Sequence, residues 1–138
     1  MKQLFLLAAV ICFGMAILKF YAARMGRTAP AVKEEKSWAT LTAEEAKARL
    51  DANESVILLD VRTQEEYDEG HIPGSVCLPH EEIGPEMPIA FDQDAEILVY
   101  CRSGRRSALA AEALSAMGYT NVADFGGIQD WPYETTTD

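Results

Sequence analysis

Cysteine and histidine are scarce, three and two among 138 residues. Cysteines at 12, 77 and 101 are too few, and wrongly placed, for a disulfide framework or a cysteine-rich zinc site. His80 beside Glu81 and Glu82 lacks metal-ligand spacing, so no metal is expected. Basic residues are also in deficit. Twelve lysines and arginines face 22 acidic residues, a formal charge of −10, which argues against a nucleic-acid partner. The length is one domain's worth and excludes a two-domain enzyme. No internal repeat or low-complexity tract is present. What remains is ordinary for a globular chain: 49% apolar and 25% charged, which excludes wholesale disorder.

The average charge hides a split. Residues 1–36 carry six basic and two acidic residues, a balance of +4. Residues 37–138 carry six basic against twenty acidic, a balance of −14. Three of those six, Arg102, Arg105 and Arg106, lie within six residues that begin at Cys101. An acidic domain has gathered half its positive charge around one cysteine.

The N-terminal apolar run spans residues 4–18 and is followed by Lys19, Phe20 and Tyr21. Extended to residue 23, it is long enough for a membrane span, with Lys19 snorkelling to the interface. A secretory signal is the alternative, with Lys2 as its short basic head. Its cleavage site is poor, because a cut after Ala23 places bulky Tyr21 at the third position before it. The expectation is therefore a membrane anchor or signal at 1–23, a polar linker at 24–37 and a folded domain at 38–138.

In that domain, short apolar runs alternate with helical patterns, which predicts an α/β fold with a mostly parallel sheet flanked by helices. Thr42 with Glu45, and Thr63 with Glu66, form two capping boxes that open helices. Gly70 closes the second helix. Val56-Ile57-Leu58-Leu59 and Ile97-Leu98-Val99-Tyr100 are continuous apolar runs, as expected of strands buried on both faces. A helix is expected over 107–117, stopped by Gly118, and a last strand over 121–125.

The chemistry concentrates at Cys101-Arg102-Ser103-Gly104-Arg105-Arg106-Ser107. A buried strand ends at the cysteine and a helix begins a few residues later. Such a loop points backbone N–H groups into one cavity, and the helix dipole adds positive potential. Gly104 permits the tight turn. The amides, the dipole and the three arginines favour a thiolate at Cys101, and the same donors suit an anionic substrate. The alternative at this stage is an inert buried cysteine with three solvated arginines.

With that loop in view, the chain resembles a single-domain rhodanese over residues 38–133. Leu59-Asp60-Val61-Arg62 is similar to the family's Asp-Val-Arg strand end, and Gly70-His71-Ile72-Pro73-Gly74-Ser75 to its Gly-His-Ile-Pro-Gly-Ala segment. Tyr100 to Ser107 resembles the active-site loop. Gly118-Tyr119-Thr120-Asn121-Val122 and Gly126-Gly127-Ile128-Gln129-Asp130-Trp131 resemble the closing segments. The resemblance implies sulfurtransferase chemistry through a Cys101 persulfide. The donor would be thiosulfate or a related small anion, and the acceptor cyanide or a thiol, free or on a protein. Arg102, Ser103, Gly104, Arg105, Arg106 and Ser107 would bind the substrate. It implies no cofactor.

Several assignments stay open on sequence. Asp60 and Arg62 either border the substrate bowl or form a structural contact, with Arg62 meeting Glu65 or Glu66. His71 is expected as a hydrogen-bonded turn residue, Trp131 as a core residue and Cys77 as a small core residue; close to Cys101, Cys77 could resolve a persulfide. Two rivals stand beside the enzyme reading: a persulfide carrier or sensor module without free-thiosulfate turnover, and a phosphatase or arsenate reductase. The latter enzymes place their arginine six positions after the cysteine, where this chain has Ser107. On the side of the membrane two arguments conflict. The lysines and arginines that follow the apolar run favour a cytoplasmic domain. Export is common among small rhodaneses with an apolar leader, and an extracytoplasmic domain is the expectation adopted.

Overall fold

The computed structural model describes residues 36–138; the expected anchor and most of the linker lie outside the described residues. The chain runs β1 (Ala39–Thr40), α1 (Ala43–Ala52), β2 (Ile57–Asp60), α2 (Gln64–Glu69), β3 (Val76–Cys77), β4 (Ile97–Cys101), α3 (Arg105–Ala116) and β5 (Val122–Gly127). Short 3-10 turns cover His80–Glu82 and Ile128–Asp130. The strands form one sheet in the order β1-β5-β4-β2-β3, and every pair in it is parallel. Among the described residues no helix is long and apolar enough to cross a membrane.

Local chemistry explains the helices. Both capping boxes form. Thr42 Oγ1 accepts from Glu45 N at 3.1 Å, and Thr63 Oγ1 accepts from Glu66 N at 3.3 Å. Each glutamate reaches back to the threonine amide, so two orphan donors are satisfied at each helix start. The third helix begins two residues before its expected start. Gly104 takes a left-handed conformation with φ +103° and turns the chain from strand into helix at once.

Parallel strands need both faces covered, and both are. Leu59, Val61, Ile97, Val99 and Cys101 pack with Ala111 and Leu114 of α3 on one face. Leu58, Leu98, Tyr100, Phe125 and Trp131 pack with Ala46 of α1 on the other. Trp131 thus closes the core as expected. β4 is the central girder, and all five of its residues are buried. Each fully buried aliphatic side chain there contributes about 2 kcal/mol against exposure.

Cys77 departs from its expected place in the core. It lies half-buried on the edge strand β3, because a two-residue edge has a partner on one side only. Its register partner is Asp60, whose own partner in β4 is Tyr100. Two strand spacings of about 4.8 Å therefore separate Cys77 from Tyr100, on the sheet face opposite Cys101. That geometry rules out a direct Cys77–Cys101 disulfide.

Candidate functional site

The site is built where β4 ends and α3 begins. β4 carries Cys101 on its last position, 1% exposed. The thiol lies at the floor of the loop formed by Arg102, Ser103 and Gly104, under the first turn of α3. Gly104 N–H donates to Cys101 Sγ at 3.0 Å. The Cys101 thiol donates to Ser107 Oγ at 3.5 Å, and the single Ser107 O–H has Gly104 O and Gly126 O in reach at 3.1 and 3.3 Å. Burial alone pushes the Cys101 thiol up. The Ser107 hydroxyl and the amides of Ser107, Gly104 and Ser103 more than reverse this and hold it below its ordinary value. This is a half-formed anion hole with a thiol at its floor.

A second feature seats the loop. In β4 and β5, Val99 pairs with Asp124 and Cys101 with Gly127, so four residues of β5 span three of β4. This bulge is tied by Gly126 N–H donating to Asp124 Oδ1 at 2.9 Å. It brings Gly127 against the backbone of the cysteine loop. A methyl group on Gly127 would overlap the Arg102 carbonyl oxygen and stand 2.7 Å from Ser103 Cα. Gln129 N–H also donates to Arg102 O at 3.2 Å. The loop therefore rests on a surface only glycine provides.

The three arginines part company. Arg102 and Arg105 are exposed and have no ion-pair partner among the described residues. Arg106 is held by Glu66, its two terminal nitrogens 2.7 and 2.9 Å from the two carboxylate oxygens. The Arg106 guanidinium pulls the Glu66 carboxyl down to about 2. Sequence counted three cations for an incoming anion; the folded site leaves two without a carboxylate partner. Ser103 is exposed on the rim, and Ser107 is fully buried behind the sulfur.

Asp60 and Arg62 sit together at the end of β2. Arg62 meets neither Glu65 nor Glu66. Its guanidinium pairs with Asp60, whose Oδ1 lies 2.9 Å from Nε, and donates to Gly70 O at 2.7 Å. The reason is competition: Asp60 is two residues away and buried, whereas Glu66 is occupied by Arg106. The pair braces the segment that leads into His71, and Arg62 also lines a cleft shared with Glu66 and Arg102. His71 is the turn residue expected. Its Nδ1 lies 2.8 Å from Tyr67 O, and its ring stacks on Tyr67 with centroids 3.6 Å apart. Burial, then the Asp60 carboxylate, pushes the Cys77 thiol up to about 11, which keeps it protonated and unreactive. Among the described residues no group of three histidine, cysteine or acidic side chains is placed to hold a metal.

Sequence reasoning missed Glu66 as part of this region, and missed what Gly127 and Tyr100 touch. Glu66 reads only as the third residue of a capping box. Gly127 has an ordinary extended conformation, φ −122°, so no turn signal marks it. Tyr100 sends its hydroxyl to the opposite face, where it accepts from Ile72 N at 3.1 Å and meets Ser75 Oγ at 3.1 Å. It thereby ties the Ile72-Pro73-Gly74 segment to the strand that carries the cysteine.

Known proteins are similar to this chain. Thiosulfate sulfurtransferase PspE of Escherichia coli is 40% identical over 73 residues, covering 52% of this chain and 70% of PspE. YrkF of Bacillus subtilis, described as a candidate sulfur carrier protein, is 36% identical over 96 residues, 69% of this chain. The chain spans about half the length of YrkF, 51%. The crystal structure of a rhodanese-related protein from Thermoplasma volcanium superposes with a TM-score of 0.64 at 30% identity, covering 73% of this chain and all of that one. The family model described as Rhodanese-like domain matches residues 42–133. With its fold, its cysteine loop and two-thirds of its length accounted for in this way, the chain belongs to the rhodanese-like domain family.

Proposed function

We propose that the protein is a sulfurtransferase that moves sulfane sulfur through a Cys101 persulfide, with thiosulfate as donor. The observation that carries this reading is the Cys101 sulfur itself: buried at a strand end, its thiol held below its ordinary value, with the Gly104 N–H donating to it and the Ser107 hydroxyl 3.5 Å away. The thiolate attacks the outer sulfur of thiosulfate. An Sγ–S bond forms, the S–S bond of the donor breaks, and sulfite leaves with the electron pair. Charge is conserved, because thiolate plus dianion gives persulfide anion plus sulfite dianion. Arg102 and Arg105 draw the dianion in, and the loop amides receive the persulfide charge. An acceptor thiolate or cyanide then takes the outer sulfur and restores the Cys101 thiolate.

Near-complete burial of Cys101 favours a slender sulfur over a phosphate tetrahedron. The pairing of Arg106 with Glu66 removes the oxyanion clamp a phosphatase needs. The decisive experiment is mass spectrometry after thiosulfate treatment. An adduct of about 32 Da, one sulfur on a thiolate, is expected on Cys101 and absent from Cys101→Ser. Failure of thiosulfate to load the protein, with loading by a protein persulfide, replaces this reading with the carrier function that the description of YrkF suggests. Hydrolysis of an aryl phosphate without thiosulfate consumption refutes both.

The apolar run at residues 4–18, with Lys19, Phe20 and Tyr21 after it, supports tethering of this activity to a membrane. The domain is placed outside the cytoplasm in this reading. Protease digestion of the domain in intact cells supports it; digestion only after lysis overturns it.

A further inference from the structure

The Glu66–Arg106 pair connects two elements 40 residues apart, α2 and the first turn of α3. Neither partner is free to swing. Glu66 Oε2 also accepts from Thr63 N at 3.1 Å, which fixes the carboxylate on its helix. Arg106 spends both terminal nitrogens on that carboxylate. Beside the pair runs an open cleft of about 580 Å³ whose lining includes Arg62, Glu66, Glu69, Arg102 and Gln129. Gln129 bonds the cysteine loop at Arg102 O, so this cleft is contiguous with the loop. The cleft beside the loop thus mixes charges: Arg102, without an ion-pair partner among the described residues, Arg62 already paired with Asp60, and the carboxylates of Glu66 and Glu69. The Glu66 carboxylate spends its charge on Arg106, the cation that would otherwise face an incoming dianion.

We infer that Glu66 is a selectivity residue of the thiol site. By holding Arg106 in a two-bond fork it withholds that guanidinium from incoming anions. It thereby sets how strongly the site prefers a doubly charged sulfur donor over a neutral or singly charged one, such as a small organic persulfide. The inference rests on the sulfur-transfer reading for its meaning, but the underlying electrostatics can be measured without turnover. Glu66 touches no reacting atom; it acts through Arg106 and is a positioning residue.

The test is the alkylation of Cys101 by iodoacetate, an anion, and by iodoacetamide, its neutral counterpart. Both consume the same thiolate, so their rate ratio cancels the thiolate fraction and reports the potential at the sulfur. Glu66→Gln keeps the capping box, which glutamine also satisfies, and removes the charge. The expected result is a rise of about three- to fivefold in the iodoacetate-to-iodoacetamide ratio, the scale of one partly screened charge pair. KM for thiosulfate falls by a similar factor without a rise in kcat. Removing Arg106 as well, by R106Q in the E66Q background, returns the ratio to the wild-type value. Thr63→Ala, which breaks the cap and keeps the carboxylate, leaves the ratio unchanged.

An unchanged ratio in E66Q overturns the inference. So does a ratio that rises equally in T63A, because the effect then follows loosening of α2 rather than charge. Failure of wild-type protein to form the Cys101 persulfide sinks the sulfur-transfer reading instead, and the alkylation ratio still decides what Glu66 does at the thiol.

Discussion

Gly127→Ala tests whether the seat of the cysteine loop governs the chemistry. The alanine methyl would overlap the Arg102 carbonyl oxygen and stand 2.7 Å from Ser103 Cα. Carbon atoms in contact normally stand about 3.5–4.0 Å apart. These neighbours are backbone, so no side chain can turn aside and the loop must retreat by about 1 Å. Gly104 N then leaves hydrogen-bonding range of Cys101 Sγ, from 3.0 Å at present. A hydrogen bond to a charged group is worth about 1.5–3 kcal/mol, so the thiolate loses roughly ten- to hundredfold in stabilisation. Overpacking itself costs about 1–3 kcal/mol of stability. The assay is the pH profile of iodoacetamide alkylation, beside thiosulfate–cyanide turnover. In G127A the alkylation midpoint moves up by one pH unit or more, and turnover falls at least about tenfold. Gly84→Ala, where a methyl group meets open space, is the matched control. A G127A protein with the wild-type midpoint and turnover within twofold refutes the argument that the loop's position is set by this contact.

Four further outcomes follow from the same geometry. Ser107→Ala removes the hydroxyl beside the sulfur, so the Cys101 alkylation midpoint rises by about one pH unit, read from the same profile. Arg62→Ala strands the fully buried Asp60 carboxylate and costs about 3 kcal/mol; thermal melting falls by more than 10 °C in this domain. The Glu66 carboxyl is held down at about 2 by Arg106, against 4.5 ordinarily. Its contribution is present above pH 4.5 and is lost as pH falls toward 2, so the melting difference between wild type and E66Q, about 1 kcal/mol after solvent screening, closes over that window. Thiosulfate loading slows as salt rises, because Arg102 and Arg105 are exposed and screened within about 8 Å at physiological ionic strength, whereas iodoacetamide alkylation does not; a salt-independent loading rate shows that these arginines do not steer the donor.

What could be seen in the sequence was whatever local chemistry decides. The two capping boxes depend on residues three apart, and both form as expected. The apolar runs at 56–59 and 97–100 carry β2 and β4 because burial on both faces demands continuous hydrophobicity. The cysteine loop was legible because strand, glycine and helix start are contiguous. β1 and β3 were not, since two-residue strands have no period and exist only through register with β5 and β2. The same limit hid the state of Arg106. Its partner Glu66 lies 40 positions away and already had a local task, so charge counting along the chain overstated the cationic character of the site. Gly127 was hidden because its role is absence of volume beside Arg102, a relation between two segments that no local pattern encodes. Arg62 makes a structural contact, one of its two expected readings, but its partner differs from the glutamates suggested: burial selected Asp60, two residues away.

The position of Cys101 on β4 has a dynamic consequence. That strand is hydrogen-bonded on both sides and contributes five consecutive buried residues. Amides of such a segment exchange with solvent only through the largest opening of the domain, so the base of the nucleophile sits in the slowest-exchanging unit of the protein. Arg102 and Ser103, one and two residues on, are exposed and belong to the fast-exchanging end of that scale. The reactive atom is thus clamped at the root and bordered by a yielding rim. Under the proposed sulfur transfer, mobility then resides in the acceptor and in a few rim residues, and a long flexible thiol is expected to reach the buried sulfur more readily than a rigid one of equal reactivity.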